Sequence, residues 1–260
     1  MLFARFQHQG RDSYGLLEAG ALRPLDGELF GDHKIGNEAI ALSEARLLAP
    51  VVPGKILAAA VNYPSHVTSA RTVLKQEEAP AIPQLFLKPS SSVIGPEEAI
   101  LLPEGARRVD AEGELVAVIG RRCGRVSREE ALGFVFGYTC GNDVSARHWQ
   151  RDDHQWWRAK GSDTFSPIGP VIATGLDGAR LALRTRVNGE EGQSTNTSLL
   201  IHSVAALVSF ASQAMTLEPG DLIFTGTPGA TPTINDGDVV EVEIDGIGVL
   251  RNPVAAAAGR

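Results

Sequence analysis

The chain has 260 residues, of which 43% are hydrophobic and 21% are charged, as in an ordinary water-soluble globular protein with a sizeable core. A net charge of -7 and a pI near 5.4 argue against nucleic acids and anionic membrane surfaces as partners, because both carry negative charge. Cys123 and Cys140 lack the spacing of a zinc site and are interpreted as reduced, buried thiols. A polar N-terminus and the lack of an apolar run of about 18 residues predict a cytoplasmic protein without a membrane span.

Two regions are predicted along the chain. Residues 1–52 alternate short apolar pieces with glycine and charged residues, which predicts a small β-rich N-terminal segment. The main domain is predicted over residues 53–260 and opens with a buried strand at 55–61 (KILAAAV). The stretch at about 64–84 is polar and bounded by proline, so it is interpreted as a lid over a site.

Strand signals dominate the remainder of the chain. Leu115–Ile119 is predicted as a strand, and residues 240–250 as a hairpin that turns at Asp245-Gly246. A capping box at Ser127–Glu130 predicts a short helix, and Ser203 is predicted to cap a second one. Strands and helices do not alternate regularly, which disfavours a doubly wound fold, and no GxGxxG or Walker pattern is present.

Two glutamates stand two residues apart at the start of an apolar strand. Residues 110–119 have the sequence DAEGELVAVI, so Glu112 and Glu114 leave the same face of the strand. Carboxylates that face the same way repel each other unless a cation lies between them. On this pair alone, the alternative is two solvated carboxylates at a sheet edge.

A third carboxylate ends the next apolar strand. Residues 134–143 (FVFGYTCGND) begin as a strand and finish on Asp143. Three carboxylates without histidine or cysteine favour a hard cation, Mg²⁺ or Mn²⁺, which prefers oxygen ligands and keeps waters that a substrate can displace. The alternative is that Asp143 only caps the turn that follows.

A hydroxyl-rich loop follows a later strand. After the apolar strand 222–225, residues 225–229 (TGTPG) present backbone N–H groups and hydroxyls together, which suits a carboxylate. A pattern of five residues is weak evidence, because such loops occur by chance in many sheets.

Taken together, these segments resemble the fumarylacetoacetate hydrolase family. The resemblance rests on nine motifs that occur in order: PGKI at 53–56, NY at 62–63 with His66, FLKPSSSVIGP at 86–96, EGELVAVIGR at 112–121, GYTCGNDVSAR at 137–147, RAKGSDTFSPIGP at 158–170, VNGE at 187–190, TLEPGDLIFTGTPG at 216–229 and IDGIGVLRN at 244–252. Each motif alone is a modest signal, but nine in order are highly specific. Residues 1–50 match only as a short leading segment.

The resemblance implies a fold and a cofactor. The fold is α+β and β-rich, a mixed β-sandwich roll of the family's C-terminal type with a small N-terminal appendage, usually found as a homodimer. The resemblance also implies that Glu112, Glu114 and Asp143 bind Mg²⁺ or Mn²⁺. The keto and carboxylate oxygens of a small 2-oxo acid would then chelate that metal.

The same resemblance implies roles for residues around the metal. Lys160 and Gln150 contact the substrate, Lys88 lies in the pocket, and the acidic end of the substrate meets a loop of three residues: Thr225, Gly226 and Thr227. A metal and Lys160 would both stabilise an enolate formed when an adjacent C–C bond breaks. His66 is the expected general base, because imidazole titrates near neutral pH.

One position departs from the family pattern and keeps several functions open. Hydrolases of the family pair the lid histidine with a glutamate three residues later, but here that residue is Ser69. Glu77 or Glu78 could fold back and take the place of the missing glutamate. We therefore expect C–C bond hydrolysis of an acylpyruvate-type acid, with decarboxylation or keto–enol isomerisation of a related 2-oxo acid as the alternative. A lyase acting on a sugar-derived acid and a non-catalytic, metal-stabilised binding protein are further alternatives.

Overall fold

The structure is a computed structural model that describes residues 1–67 and 78–257. Over these residues the chain forms one large sheet and two smaller ones, with few helices. The large sheet contains thirteen strands among the described residues: β1 (Leu2–His8), β2 (Arg11–Glu18), β3 (Ala21–Gly27), β4 (His33–Ile35), β5 (Ile40–Ala41), β6 (Arg46–Leu47), β7 (Ile56–Ala60), β8 (Gln84–Lys88), β9 (Val93–Ile94), β12 (Gly113–Ile119), β13 (Val135–Asn142), β15 (Ser166–Ala173) and β18 (Leu222–Phe224).

The two smaller sheets pack around the large one. The second sheet has five strands in the described part of the chain: β10 (Ile100–Leu102), β16 (Ala182–Val187), β17 (Glu190–Asn196), β20 (Val239–Ile244) and β21 (Gly248–Ala256). The third sheet has three short strands: β11 (Val109–Asp110), β14 (Ser145–Ala146) and β19 (Thr233–Ile234).

Helices are short and few. The α-helices that lie wholly within the described ranges are α1 (Arg147–Asp152), α2 (Trp157–Gly161) and α3 (Val204–Ala214). Short 3-10 turns occupy Leu42–Glu44, Ser90–Ser92, Ala131–Phe134 and Thr197–Leu199. Residues 64–67, just before the first undescribed segment, are also helical. No helix in the described ranges is both long enough and apolar enough to cross a bilayer.

The centre of the large sheet supplies the hydrophobic core. Its strands run in the order β4-β3-β2-β1-β15-β13-β12-β18-β7-β8, and every residue of β12 is buried. Side chains of β12 alternate between two clusters: Leu115, Ala117 and Ile119 pack with α3 and the five-stranded sheet, while Val116 and Val118 pack on the opposite face. Burial on both faces explains why this strand is a continuous apolar run.

The N-terminal strands extend the same sheet. β1 pairs antiparallel with β15, with Phe3 opposite Ile172. Phe3 and Leu16 pack in one cluster with Val116 and Ile172. The first 50 residues therefore share both hydrogen bonds and core with the strands that follow.

The predicted elements can be compared with the observed ones. The strands predicted at 55–61 and 115–119, the hairpin at 240–250 and the helix capped by Ser203 are confirmed, as is the β-rich class. The capping-box bonds also form, because Ser127 N–H donates to the Glu130 carboxylate and Glu130 N–H donates to Ser127 Oγ. The predicted short helix after this box forms as a 3-10 helix at residues 131–134. Gly133 interrupts that stretch, and glycine disfavours continuation into an α-helix.

Candidate metal centre

The pairing of β12 with β13 brings the three carboxylates together. In this antiparallel ladder Glu114 lies opposite Gly141, and Gly113 lies opposite Asn142. The next residue on each strand continues the pairing, since Asp143 N–H donates to the Glu112 carbonyl at 2.9 Å. Gly141 is needed there, because a Cβ atom would lie 2.4 Å from Val116 Cγ2 and 2.6 Å from the Phe224 ring.

The three carboxylates form a compact, buried cluster. One oxygen each of Glu112, Glu114 and Asp143 lies within 4.8 Å of the others. All three side chains are buried, with relative exposures of 3%, 1% and 1%. The alternative of solvated carboxylates at a sheet edge is therefore wrong, because β12 is a central strand. The turn-cap alternative for Asp143 does not account for the two neighbouring glutamates.

Two lysines contact this cluster. Lys160 Nζ donates to Glu112 Oε2 at 2.5 Å and to Asp143 Oδ2 at 2.6 Å. Lys88 Nζ donates to Asp143 Oδ1 and, at 2.8 Å, to the Phe165 carbonyl. Lys160 comes from the last turn of α2 and Lys88 from the last residue of β8, so separate elements deliver the two positive charges.

The two glutamates have opposite electrostatic environments. Burial alone would raise the pKa of Glu112, but Arg147, Lys160 and His66 outweigh it and hold that pKa well below its usual range. Burial, reinforced by Asp143 and Glu112, raises the pKa of Glu114 well above its usual range. Gly226 N–H donates to Glu114 Oε2 at 2.6 Å and opposes this rise. Negative charge is therefore least well balanced at Glu114, where protonation is favoured.

The two lysines also differ. Burial would lower the pKa of Lys160, but Asp143 and Glu112 outweigh it and the pKa is raised. Burial dominates at Lys88, whose pKa is lowered despite the Asp143 carboxylate. Lys160 is thus held firmly as a cation between two carboxylates.

A second layer of the site was not predicted from the sequence. Arg147 Nη2 donates to Glu112 Oε1 at 2.5 Å, and its Nη1 donates to Gln150 Oε1 at 2.8 Å. Its Nε donates to Asp110 Oδ2 at 2.8 Å. Asp110 begins the segment DAEGELVAVI at 110–119, and Arg147 ends the motif GYTCGNDVSAR at 137–147. The available signal was closeness in sequence to the predicted ligands, since Asp110 lies two residues before Glu112 and Arg147 lies four residues after Asp143.

The TGTPG loop packs on the strand that carries the glutamates. Thr225 Oγ1 donates to the Leu115 carbonyl at 2.9 Å, and Thr227 Oγ1 donates to the Gly113 carbonyl at 3.1 Å. Gln193 of β17 also holds this loop, donating from Nε2 to Thr227 Oγ1 and the Pro228 carbonyl and accepting from Gly113 N–H. Sequence reasoning missed Gln193, although it is the one buried residue among the first five of its strand.

A small pocket opens beside the cluster. Besides the three carboxylates, its lining includes His66, Gln150, Lys160, Thr227 and the rings of Phe86 and Trp156. His66 Nδ1 lies 2.9 Å from the Gly229 carbonyl. The sequence-predicted residues Lys88, Thr225 and Gly226 lie directly behind this lining, in contact with Asp143, Leu115 and Glu114, respectively. Their roles toward substrate stay predictions.

Part of the predicted lid falls outside the described residues. Ser69 and Glu77 belong to that undescribed part, so the pairing of His66 across the lid is not addressed by the structure. Glu78 is described and is exposed.

The donor set fits a hard divalent cation. Three buried carboxylate oxygens within 4.8 Å of one another, without histidine or cysteine among them, match the ligand preference of Mg²⁺ and Mn²⁺. The raised pKa of Glu114 marks the place where a further positive charge would be most stabilising. The acidic cluster thus indicates a divalent-metal site.

Comparison with known proteins identifies the family. A family model described as fumarylacetoacetate (FAA) hydrolase C-terminal matches residues 55–255, and one described as Rv2993c-like, N-terminal matches residues 1–50. The chain belongs to the fumarylacetoacetate hydrolase family, which confirms the resemblance inferred from the nine motifs. The chain thus belongs to a family of enzymes. The proteins similar to it include isomerases, hydrolases and tautomerases.

Two curated relatives illustrate the sequence similarity. Protein Rv2993c of Mycobacterium tuberculosis is 47% identical over 86% of this chain and 84% of its own length. The mitochondrial oxaloacetate tautomerase fahd2 of Xenopus laevis is 38% identical over 83% of this chain and 70% of its own length.

Two solved structures illustrate the fold. The 5-carboxymethyl-2-hydroxymuconate delta-isomerase of Mycobacterium smegmatis has a TM-score of 0.92 and 42% identity, covering 99% of this chain and 100% of that one. The maleylpyruvate hydrolase of Sphingobium sp. SYK-6, in complex with manganese and pyruvate, has a TM-score of 0.82 and 29% identity with the same coverage. The predicted fold class is confirmed.

Proposed function

We propose that this protein is a divalent-metal-dependent enzyme that interconverts the keto and enol forms, or double-bond isomers, of a small 2-oxo acid. The observation that carries the proposal is Lys160, a buried cation held between Glu112 and Asp143 at the wall of the pocket. A fixed positive charge in a dry site stabilises an enolate oxygen far more than the same charge in water does.

The substrate head would lie over the carboxylate cluster. Mg²⁺ or Mn²⁺ held by Glu112, Glu114 and Asp143 would supply Lewis acidity to the keto oxygen of the 2-oxo acid. Gln150 and Lys160 line the same pocket and would orient the head from the side. The Arg147 guanidinium fixes the Gln150 amide by donating to its oxygen, which leaves the amide nitrogen available as a donor.

His66 is the proposed base. A ring nitrogen next to a backbone carbonyl acts as donor, so Nδ1 carries the proton toward Gly229 and Nε2 of the neutral ring keeps a lone pair. Nε2 takes a proton from the carbon next to the keto group, and the electron pair moves onto the keto oxygen beside Lys160. Returning the proton to that oxygen, or to a conjugated carbon, completes the isomerisation without loss or gain of atoms.

Hydrolysis places a further demand on the base. A histidine that activates water is best stabilised by a carboxylate partner, whereas Ser69 stands where hydrolases of the family carry a glutamate. The isomerase and tautomerase among the relatives are 42% and 38% identical to this chain, and two hydrolases are 35% and 29% identical. Both observations favour isomerisation.

Hydrolysis of an acylpyruvate-type C–C bond is the second candidate. It is supported by the shared fold of the maleylpyruvate hydrolase, because the same enolate is the leaving group when such a bond is cleaved. Decarboxylation of a related acid would also pass through that enolate. The 2-oxo acid ligand and a homodimeric assembly belong to the same proposal.

A deuterium-exchange experiment tests the proposal. Purified protein with Mn²⁺ is incubated with oxaloacetate in D₂O, and exchange at the carbon next to the keto group is followed by NMR against Mn²⁺ alone. We expect exchange that exceeds the metal-only rate and falls in His66→Gln. Exchange no faster than with metal alone, alongside cleavage of an acylpyruvate, would replace isomerisation by hydrolysis.

Two further measurements separate the alternatives. Ser69→Glu should raise acylpyruvate cleavage if hydrolysis is native, and should leave isomerisation unchanged or slower. Oxalate, which mimics an enolate, should add thermal stability beyond Mn²⁺ alone. A protein that gains nothing from oxalate and turns over no 2-oxo acid would be a binding protein.

A further inference from the structure

Asp110 is a buried carboxylate for which the proposed reaction has no role. It is fully buried and lies on β11, two residues before Glu112. Its Oδ1 accepts from Arg108 Nε at 3.0 Å and from Thr233 Oγ1 at 2.9 Å. Its Oδ2 accepts from Arg147 Nε at 2.8 Å and from Thr231 Oγ1 at 2.8 Å.

The three-stranded sheet assembles these contacts. Asp110 lies opposite Ser145 of β14 on one side and opposite Thr233 of β19 on the other. Arg147 follows β14 directly, and its N–H donates to the Arg108 carbonyl. The sheet therefore brings a carboxylate and a guanidinium from separate segments into one buried pair.

The Arg147 guanidinium connects this pair to the pocket. Its Nε is bound by Asp110, its Nη1 by Gln150, and its Nη2 by both Glu112 Oε1 and Thr231 Oγ1. Because a guanidinium is planar and rigid, fixing Nε fixes the directions of both other nitrogens. With Oε1 of Glu112 held by Arg147, Oε2 is turned toward Lys160 and the carboxylate cluster.

We propose that Asp110 is a positioning residue for the metal centre, acting through Arg147. It sets the orientation of the guanidinium, and the guanidinium sets the rotamer of Glu112 and the side-chain orientation of Gln150. The inference rests on the proposed function, because it assigns Glu112 to the metal and Gln150 to the substrate. Residues that orient a metal ligand typically alter metal affinity or activity about 10- to 100-fold when they are replaced.

The test measures Mn²⁺ binding directly, by the EPR signal of the free ion, so that it does not depend on turnover. Asp110→Asn keeps the shape of the side chain and removes its charge. We expect it to weaken Mn²⁺ binding about 10- to 100-fold relative to the unmodified protein. Thr233→Val, which removes one bond to Asp110 and is milder for folding, should weaken binding less but in the same direction.

A matched control separates positioning from general stability. Asp221 is equally buried, pairs with Lys55 and accepts from the backbone N–H groups of Lys55 and Glu218, and in the described ranges neither partner bonds to the three carboxylates. Asp221→Asn should lower the unfolding temperature as Asp110→Asn does, and leave Mn²⁺ affinity unchanged. Equal losses of Mn²⁺ affinity in both variants would overturn the inference.

A double-mutant cycle tests whether Asp110 acts through Arg147. If it does, Asp110→Asn combined with Arg147→Met loses no more Mn²⁺ affinity than the weaker-binding single variant. Additive losses would show that Asp110 acts independently and would overturn the inference. Unmodified protein that binds no Mn²⁺ would refute the metal-centred function itself. Tight Mn²⁺ binding that both Asp110→Asn and Thr233→Val leave unchanged would refute the role of Asp110 alone.

Discussion

The two glutamates of the centre stand two residues apart and are treated in opposite ways by the fold. Around Glu112, Arg147 and Lys160 donate to both carboxylate oxygens, and the pKa is lowered. Around Glu114 the donor is the backbone N–H of Gly226, and the pKa is raised. The protein therefore balances one carboxylate internally and leaves the other to be balanced by a bound cation.

Removing the unbalanced carboxylate should have the largest effect. Glu114→Gln keeps the size of the side chain but removes one of the three proposed metal ligands and its charge. We expect loss of metal-dependent turnover, with the fold retained, measured by activity at limiting Mn²⁺ and by circular dichroism. Glu129→Gln, at an exposed position, is the matched control. Wild-type turnover of Glu114→Gln at low metal would show that Glu114 is not a ligand.

Removing the internal cation should have the next largest effect. Lys160→Met replaces a buried ammonium by an apolar chain of similar length, so the enolate loses one electrostatic donor. We expect kcat to fall by about two to three orders of magnitude, as for other single donors. Lys34→Met, on the surface, should leave kcat unchanged. If only KM rises, Lys160 positions the substrate and does not stabilise the enolate.

The raised pKa of Glu114 makes a prediction for stability without metal. Folded protein keeps this carboxyl protonated at pH values where the unfolded chain, with a value near 4.5, has lost the proton. The contribution of Glu114 to the free energy of unfolding is therefore fully present below the pKa of the unfolded chain. It is lost as pH rises toward the pKa of Glu114 in the folded protein, with a slope of at most about 1.4 kcal/mol per pH unit. Urea unfolding of metal-free protein across this window should show the slope.

The same experiment contains its control. Glu114→Gln cannot lose a proton, so its stability should lack this downward slope while keeping the pH dependence of all other groups. Added Mn²⁺ should remove the slope from the unmodified protein by stabilising the ionised form. Identical pH profiles for the two metal-free proteins would contradict the raised pKa.

The smallest effect is expected for the Tyr63 hydroxyl, measured by the free energy of unfolding. Tyr63 is fully buried, and its hydroxyl has no hydrogen-bond partner among the described residues. Tyr63→Phe should leave the unfolding free energy unchanged or raise it, because it removes a buried hydroxyl to which no described residue hydrogen-bonds. Thr225→Val, which removes a buried bond to the Leu115 carbonyl, should cost about 1 to 3 kcal/mol in the same assay.

The sequence predicted the centre better than its surroundings, for a physical reason. Glu112, Glu114 and Asp143 stand at the ends of apolar strands, and strand periodicity alone predicts that the two glutamates share a face. β12 and β13 are consecutive strands, joined by residues 120–134, so their contact is between neighbours in chain order. The sequence also indicated the TGTPG loop as a candidate carboxylate-binding loop. Its hydrogen bonds to β12, however, depend on a strand order that no local pattern reveals.

The supporting residues depend on contacts between distant segments. Asp110 and Arg147 are 37 residues apart in the sequence. Gln193 is 80 residues from Gly113, whose N–H donates to the Gln193 side-chain oxygen. Nothing near these residues indicates which partner each will meet. The short helix after Ser127 could be predicted because its capping box is a local pattern, and it forms as a 3-10 helix over residues 131–134.

The continuity of the large sheet has a consequence for how the chain folds. The two family models that match the chain meet between residues 50 and 55. However, β1 hydrogen-bonds to β15 across this division and places Phe3 in the core beside Val116. A chain cut at that division would expose the edge of β15 and the apolar surface beneath β1, which invites association with other chains. The two stretches are therefore expected to unfold in a single cooperative transition, and the shortened chain to aggregate rather than refold.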